Sequence, residues 1–376
     1  MSEAVNMNYN INNIEALWPR INRTYKFDPQ EKRSVPCDAF DDGATYTIQF
    51  KMTEAQAKDL YKQMAAAYKA KREDSWPDKF PMPFKKEDDG TFSHKAKLKE
   101  SRTQSPTNLL LISLDTVSAE QMSLYGGQAE MPNLEKLAEN GAKFSNAYTH
   151  FPETAISHWT MMTGALPGVH GNVPANGTSR HTGPTLAERM RDAGYQTAAF
   201  IGGETLTDRS TGLARGFGTY DDQHQWNRVD LKRPGEDITK RSLRWIEQQK
   251  KDGKPYFAFV HFFDAHFPYT PAAPWDTKYS NGYTGSLTGS DKDLMPFRDG
   301  GKTPTEEEIA YIKSLYLGEL SELDAIIAPL LEEAQDNNTL IVVTSDHGES
   351  FGHDYWFNHR DGLWDEITHV PLIMNG

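Results

Sequence analysis

From residue 108 onward the chain alternates short apolar runs with longer amphipathic segments. The run Asn108–Asp115 is apolar up to its final aspartate, as expected for a strand buried on both faces of a parallel sheet. Further runs predict strands at Gln196–Ile201, Tyr256–Phe263 and Thr339–Thr344, and the segments around them predict helices at Pro132–Asn140, Pro184–Asp192, Ile238–Lys251 and Glu306–Ala334. We expect the last helix to be broken or kinked near Pro329. This alternation predicts an α/β fold with a mostly parallel sheet sandwiched by helices.

The first hundred residues have a different character. Ala44–Met52 alternates like a half-buried strand, the capping box Thr53–Gln56 opens a helix to about Arg72, and Thr91–Lys99 predicts a second strand. The polar segment 104–107 is typical of a linker. We therefore predict a small α+β unit at 1–103, a linker at 104–107 and a catalytic domain at 108–376.

Composition narrows the functional classes. A net charge of −13 and a pI near 5.4 argue against a general nucleic-acid binder. The single cysteine, Cys37, excludes an intramolecular disulfide framework. The N-terminus has no signal-peptide pattern and no apolar run is long enough to span a bilayer, so we expect a cytoplasmic protein without a membrane partner.

Four polar residues stand at the ends of predicted strands or at the start of a predicted helix, where ligands of parallel sheets usually bind. Asp115 ends one predicted strand, Asp346 and His347 follow another, and Thr154 stands at the head of a predicted helix. A metal ion and a helix N-terminus both favour an ionised hydroxyl, so Thr154 is a candidate nucleophile. Taken singly, Asp115 and Thr154 could each be a helix cap. Mixed carboxylate and imidazole ligands favour Zn or Mn over Mg or Ca.

Several further stretches carry a family resemblance. They are Asn108–Thr116, Pro132–Ala138, Phe144–Tyr148, Gly212–Phe217, His261–Tyr269, Ser345–Glu349 and His369–Ile373. In this order, residues 107–376 resemble the catalytic domain of the alkaline phosphatase superfamily, closest to its sulfatase-like branch. The resemblance implies one metal site formed by Asp115, Thr154, Asp346 and His347.

The resemblance also implies a particular nucleophile. Type I sulfatases carry a cysteine or serine that becomes formylglycine, and that position falls on Thr154, with the arginine of the same motif falling on His158. Threonine cannot become formylglycine. The pattern instead resembles the nucleotide pyrophosphatase/phosphodiesterases, in which threonine attacks phosphorus directly, and it implies a phospho-threonine intermediate.

Other residues acquire roles only through the resemblance. His266 and His359 would protonate the leaving group, while His158, Asn176 and Asp264 would bind the substrate. Alternatively, Asp264, His266 and His359 would hold a second metal ion, although one ion is favoured over two. Asn176 could also be a turn residue, and His158 could serve only the structure.

The N-terminal segment has a resemblance of its own. Its matching stretches are Trp18–Asn22, Lys26–Asp28, Tyr46–Phe50 and Phe84–Phe92, which resemble the first half of phage-type single-stranded-DNA-binding proteins with an OB-like barrel. Single-stranded nucleic acid is thus an implied partner, and a small cap with core aromatics is the alternative. Members of the sulfatase-like branch continue beyond the position of Gly376, so we expect a C-terminal subdomain to be missing.

These observations predict a metal-dependent hydrolase of phosphate esters that acts on a small anionic substrate. The first alternative is a sulfuric ester hydrolase that works without formylglycine. The second is an inactive fusion in which the first hundred residues bind nucleic acid.

Overall fold

The computed structural model describes residues 108–376 apart from 172–180, 225–230, Asn281, Asn337, Asp354 and Asp361. Of the first 107 residues it describes the backbone of five strands and the helical residues Lys58 and Lys62. The chain divides into two compact units, Met1–Thr103 and Gln104–Gly376.

The first unit contains two small sheets. Its strands are β1 (Lys26–Asp28), β2 (Arg33–Val35), β3 (Tyr46–Met52), β4 (Lys85–Lys86) and β5 (Phe92–Leu98). β3 pairs antiparallel with β5 over seven residues, which matches the two strands predicted here. Apart from Lys58 and Lys62, the predicted helix 53–72 lies outside the described residues. The side chains on which nucleic-acid binding would depend also lie outside them, so single-stranded nucleic acid as a partner stays a prediction.

The second unit is built on a seven-stranded sheet. In chain order its strands are β6 (Asn108–Leu114), β7 (Ala142–Lys143), β8 (Gln196–Ile201), β9 (Thr219–Asp221), β10 (Tyr256–Phe262), β11 (Thr339–Thr344) and, after the hairpin β12 (Ser350–Gly352) with β13 (Tyr355–Asn358), β14 (Leu372–Asn375). The spatial order is β7-β14-β11-β6-β10-β8-β9. The five strands from β11 to β9 are mutually parallel, and β14 pairs antiparallel with both of its neighbours. The predicted mostly parallel α/β sheet is confirmed.

Helices cover both faces of this sheet. Alternate residues of β6 pack to opposite sides, so Leu110 and Ile112 join one apolar cluster while Leu111 joins the other. All seven residues of β10 are buried, because this strand lies inside the sheet between β6 and β8. Burial on both faces explains why the sequence shows continuous apolar runs rather than alternation.

Most helix predictions are confirmed within a few residues. The helices are Pro132–Glu139, Thr154–Thr163, Pro167–His170, Leu186–Asp192, Asp208–Thr211, Gly235–Lys251, Trp275–Lys278, Asp291–Arg298, Glu306–Ala334 and Asp365–Thr368. Of the predicted break or kink near Pro329, the break is wrong, since Glu306–Ala334 is one continuous helix with Pro329 inside it, and the kink stays a prediction. Proline removes one hydrogen bond there, but the buried Ile327, Leu330 and Leu331 hold both sides of the proline in the core.

The carboxyl ends of β6, β10 and β11 lie side by side at one edge of the sheet. β10 and β11 both pair in parallel register with β6, so the residues that follow the three strands emerge together. Among the described residues, no helix is long and apolar enough to cross a bilayer.

Candidate metal centre and active site

Asp115, Asp346 and His347 meet at this edge of the sheet. Asp115 follows β6, and the other two residues follow β11 after the single intervening Ser345. One ligand atom from each lies within 4.8 Å of the others, and all three side chains are fully buried. Within the described part of the chain, this is the one group of three or more such residues with ligand atoms this close.

The two carboxyl groups are poorly satisfied by the protein. Asp115 Oδ1 and Asp346 Oδ2 are buried and have no hydrogen-bond partner among the described residues. Burial and the facing Asp346 raise the pKa of Asp115 well above its usual value. Burial alone would raise the pKa of Asp346, but His347, His158 and His261 lower it to about 2. A buried carboxylate without a partner is costly, and a divalent cation between the two oxygens would remove that cost. The residues therefore fit a metal ion.

The orientation of His347 suits a metal ligand. Its Nδ1 atom lies 3.0 Å from Gly348 O, so Nδ1 donates to that carbonyl and Nε2 is the ring nitrogen turned towards Asp346 and Thr154. Nε2 lies 3.3 Å from Asp346 Oδ2 and 3.4 Å from Thr154 Oγ1. The Thr154 hydroxyl thus lies against the group formed by Asp115, Asp346 and His347, which we call the metal-ligand cluster. The four residues predicted to form one metal site are therefore adjacent.

Thr154 stands at the first position of the helix Thr154–Thr163. The residue before this helix, Glu153, does not cap it with its side chain. The N–H groups of the first turn therefore donate no hydrogen bond to the Glu153 side chain. A helix N-terminus stabilises negative charge nearby. Thr154 is only 4% exposed.

The backbone beside the cluster is strained. Thr116 has a φ of +58°, which is unfavourable for a β-branched residue. Three contacts hold it there: its N–H donates to Asp346 Oδ1 at 3.2 Å, its carbonyl accepts from Tyr316 Oη at 2.7 Å, and its hydroxyl donates to Asp115 O at 2.7 Å. The sharp turn after β6 thereby links Asp115 to Asp346, as strained residues at functional sites often do.

His158 lies between the helix of Thr154 and the central sheet. Its Nε2 lies 2.8 Å from Ser113 Oγ on β6, its Nδ1 lies 2.7 Å from Thr154 O, and the side chain is fully buried. Both ring nitrogens are therefore occupied, and burial lowers the pKa of His158 to about 3. These contacts join the helix of Thr154 to the central sheet and favour the structural alternative for His158, while its contact with substrate stays a prediction.

His359 and His266 form the other side of the site. The His359 ring stacks on His347 with centroids 4.1 Å apart, and it meets the His266 ring edge-on at 5.4 Å. His266 stacks on Phe263 at 4.1 Å and its Nδ1 lies 2.9 Å from Phe267 O, which leaves Nε2 for another partner. Both histidines are thus placed beside the cluster, as the leaving-group prediction requires.

The pKa values of His266 and His359 bear on whether these rings can donate a proton. Burial, with each ring's neighbouring histidine, lowers the pKa of His266 and of His359 well below the usual value. Both are therefore neutral near pH 7 before an anion binds. A bound anionic ester favours the charged imidazole and would raise both pKa values. Their role as proton donors stays a prediction.

One carboxyl oxygen of Asp264 binds the N-terminus of a helix. Its Oδ1 accepts from Gly235 N at 2.9 Å, so the carboxyl caps the helix Gly235–Lys251, and burial raises its pKa to about 6. One oxygen therefore satisfies a helix end, whereas Oδ2 is buried and has no hydrogen-bond partner among the described residues, so the substrate-binding role of Asp264 stays a prediction. The alternative second metal site of Asp264, His266 and His359 is absent as a close ligand group among the described residues. The predicted Asn176 lies outside the described residues.

Three residues of the site had no role in the sequence analysis. His261 Nε2 lies 3.1 Å from Asp115 Oδ2, His359 Nδ1 lies 3.0 Å from Glu349 Oε1, and Tyr269 Oη donates to Glu349 Oε2 at 2.8 Å. A histidine inside the otherwise apolar β10 and a glutamate two residues after His347 were the available signals. Neither signal indicates which atom the side chain contacts.

Comparisons with known proteins give the chain its family. It is 24% identical to the uncharacterized sulfatase YidJ of Escherichia coli over 71% of this chain, and it spans 62% of that relative's length. A phosphonate monoester hydrolase of Agrobacterium radiobacter superposes with a TM-score of 0.56 at 18% identity, over 72% of this chain and 68% of that chain. The C-terminal periplasmic domain of EcEptC from Escherichia coli, in complex with Zn, superposes with a TM-score of 0.54 at 20% identity, over 73% and 74%. Residues 107–376 match the family model described as Sulfatase, so this chain belongs to the sulfatase family.

Proposed function

We propose that the protein is a metal-dependent hydrolase of phosphate esters with Thr154 as its nucleophile. The observation that carries the proposal is the position of Thr154 Oγ1, 3.4 Å from His347 Nε2 in the buried cluster with Asp115 and Asp346. A hydroxyl at a helix N-terminus beside two carboxylates and an imidazole suits an activated alkoxide.

Asp115, Asp346, His347 and Thr154 would hold one divalent ion. When bound, that ion would lower the pKa of the threonine hydroxyl and neutralise charge on the substrate's oxygens. Carboxylate and imidazole ligands favour Zn or Mn. The zinc named for the similar EcEptC domain supports this choice for the present chain.

The chain's own residues account for the rest of the reaction. Thr154 Oγ1 loses its proton to solvent and forms a bond to phosphorus, and the bond from phosphorus to the leaving alcohol breaks. His359 or His266 gives the departing oxygen a proton. Water then attacks phosphorus, the Oγ1–phosphorus bond breaks, and Thr154 regains its proton, so that a diester substrate leaves as a phosphate monoester and a monoester substrate leaves as phosphate.

A sulfuric ester is the second candidate substrate, and the family name favours it. Sulfate monoesters carry one negative charge and phosphate monoesters about two near pH 7. The similar phosphonate monoester hydrolase supports a phosphorus ester, and threonine at position 154 cannot supply the formylglycine of the usual sulfatase mechanism.

Turnover of two chromogenic esters tests the proposal. Bis-p-nitrophenyl phosphate and p-nitrophenyl sulfate are offered to the wild type and to Thr154→Ala, with added Zn or Mn and with EDTA. We expect metal-dependent cleavage of the phosphate diester that Thr154→Ala abolishes. Sulfate cleavage that survives in Thr154→Ala would overturn the nucleophile, and turnover of neither ester would overturn the hydrolase itself.

A further inference from the structure

One lysine, Lys232, donates hydrogen bonds to both ends of the loop that carries His266. The ammonium of Lys232 donates to Asp264 O at 2.7 Å and to Pro268 O at 2.6 Å. These carbonyls lie two residues before and two residues after His266. The segment between them is therefore closed by a single cation that spans it.

A third oxygen completes the set around the ammonium. Lys232 Nζ lies 3.5 Å from Glu319 Oε1, and the same Oε1 accepts from Thr270 N at 2.7 Å. An ammonium has three protons, so one lysine can serve all three oxygens. Glu319 is 4% exposed and lies within the long helix Glu306–Ala334, which ties the end of the loop to a core element.

Lys232 itself has a fixed backbone. Arg233 N donates to Gly202 O at 2.8 Å and Glu204 N donates to Leu231 O at 3.2 Å, so the segment pairs with the residues that follow β8. The neighbouring Arg233 is 1% exposed and forms ion pairs with Asp221 and Asp237 at 3.2 and 2.8 Å. Lys232 therefore connects the loop to the edge of the sheet.

The ring of His266 is held by stacking on one face and by the contact of its Nδ1 with Phe267 O. Phe263 stacks on that face, and the glycine at position 203 makes room for Phe263, since a Cβ there would lie 2.5 Å from the Phe263 ring. On the other side the ring meets His359 edge-on at 5.4 Å, towards the cluster. Movement of the loop backbone would therefore shift Nε2 relative to Thr154.

We propose that Lys232 is a positioning residue for the reaction, which holds the loop Asp264–Pro268 so that His266 faces the bound ester. The expected effect of Lys232 on the reaction rate rests on the proposed function, whereas its effect on the position of the loop does not. Lys232 acts only through His266 and touches no reacting atom.

A double-mutant cycle tests the catalytic effect. Lys232→Met is expected to lower kcat/KM for the phosphate diester by about 10- to 100-fold, mainly through kcat, because small displacements of a catalytic group cost about that much. In the His266→Ala background the same substitution is expected to change kcat/KM by less than about twofold, because the lysine then has nothing to position. Equal losses in both backgrounds would overturn the proposal.

Two further variants keep the test decisive. Lys240→Met removes an exposed lysine of the adjoining helix Gly235–Lys251 and is expected to leave activity unchanged. Lys232→Arg keeps the charge and the donors and is expected to recover most of the lost kcat. If Lys232→Met shows no cooperative unfolding transition, Lys232→Gln takes its place in the cycle with the same expected pattern.

Amide hydrogen exchange separates this proposal from the proposed function. Exchange across residues 264–270 is expected to speed up in Lys232→Met and not in Lys240→Met, whatever the substrate. Unchanged exchange in that segment would overturn the positioning role even in an active enzyme. If the wild type cleaves neither ester but exchange still speeds up in Lys232→Met, the structural role is retained and the hydrolase is rejected.

Discussion

Glu349 Oε1 lies 3.0 Å from His359 Nδ1, and both side chains are buried. The glutamate's other oxygen accepts a hydrogen bond from Tyr269, so the carboxyl cannot turn away from the histidine. His359 in turn stacks on the metal-ligand candidate His347. One glutamate therefore sets the orientation of the ring on which the leaving-group side of the site depends.

Removal of that carboxyl is expected to reduce activity. Glu349→Ala leaves His359 Nδ1 without its acceptor and should lower kcat/KM for the phosphate diester by about 10- to 100-fold, the usual cost of losing a supporting partner. Glu349→Gln keeps an oxygen that can accept from Nδ1, so its loss should be smaller. Steady-state kinetics of both variants beside Glu247→Gln, an exposed glutamate on Gly235–Lys251, measures the difference. Equal losses in the alanine and glutamine variants would contradict this role.

The cluster is expected to be stabilised by metal and destabilised without it. A divalent ion at about 100 times its Kd should add about 2.7 kcal/mol to the free energy of unfolding. Thermal unfolding in EDTA and with added Zn or Mn measures this gain.

Asp115→Asn separates ion binding from general salt effects. The substitution removes the repulsion between Asp115 and Asp346, so we expect it to raise the Tm of the metal-free protein and to shrink the gain from metal. A lower Tm in EDTA together with an unchanged metal gain would show that the two carboxyls are not the ligands.

His158 is expected to serve stability rather than substrate binding. His158→Ala removes the contacts with Ser113 and with the Thr154 carbonyl from a fully buried site, and should lower the free energy of unfolding by about 2 kcal/mol or more. Urea unfolding gives the stability and initial rates give KM, which we expect to stay within about threefold. A tenfold rise in KM at unchanged stability would restore the substrate-contact interpretation.

Glu319 makes stability depend on pH. Burial raises its pKa from 4.5 to about 8 in the folded protein, so between these values the folded state binds a proton that the unfolded state has lost. Stability due to this group is therefore complete below about pH 4.5 and is lost as the pH rises to about 8, with a slope of at most about 1.4 kcal/mol per pH unit.

Glu319→Gln cannot titrate and should lack this slope. Urea unfolding across that pH window is expected to show the glutamine variant gaining on the wild type as the pH rises, while Glu247→Gln follows the wild type. Parallel curves for the wild type and Glu319→Gln would mean that the buried carboxyl does not take up a proton.

The sequence predicted the parts of the site that follow from strand order. Asp115, Asp346 and His347 come directly after apolar runs, and parallel strands bring such residues to one edge. The direction of a side chain within a helix is harder to predict. His158 stands one turn after Thr154 on the same helical face, but only the packing of that helix on β6 shows that it points to Ser113.

Contacts between distant segments could not be predicted from a single sequence. Lys232 and Glu319 are 87 positions apart in the chain, and no local pattern indicates that both meet the loop of His266. The helix Glu306–Ala334 was predicted with the correct bounds, but its continuity through Pro329 was not, because the burial of the neighbouring residues outweighs the local preference of proline.

The most direct test is a search for the covalent intermediate on Thr154. Wild-type protein with Zn or Mn is mixed with p-nitrophenyl phosphate, quenched in acid within the first turnovers and digested, and the peptides are measured by mass spectrometry. We predict one added phosphoryl group on the peptide that contains Thr154, absent after EDTA treatment and in Thr154→Ala. Product release without any phosphorylated peptide, or a phosphoryl group on another residue, would contradict threonine as the nucleophile.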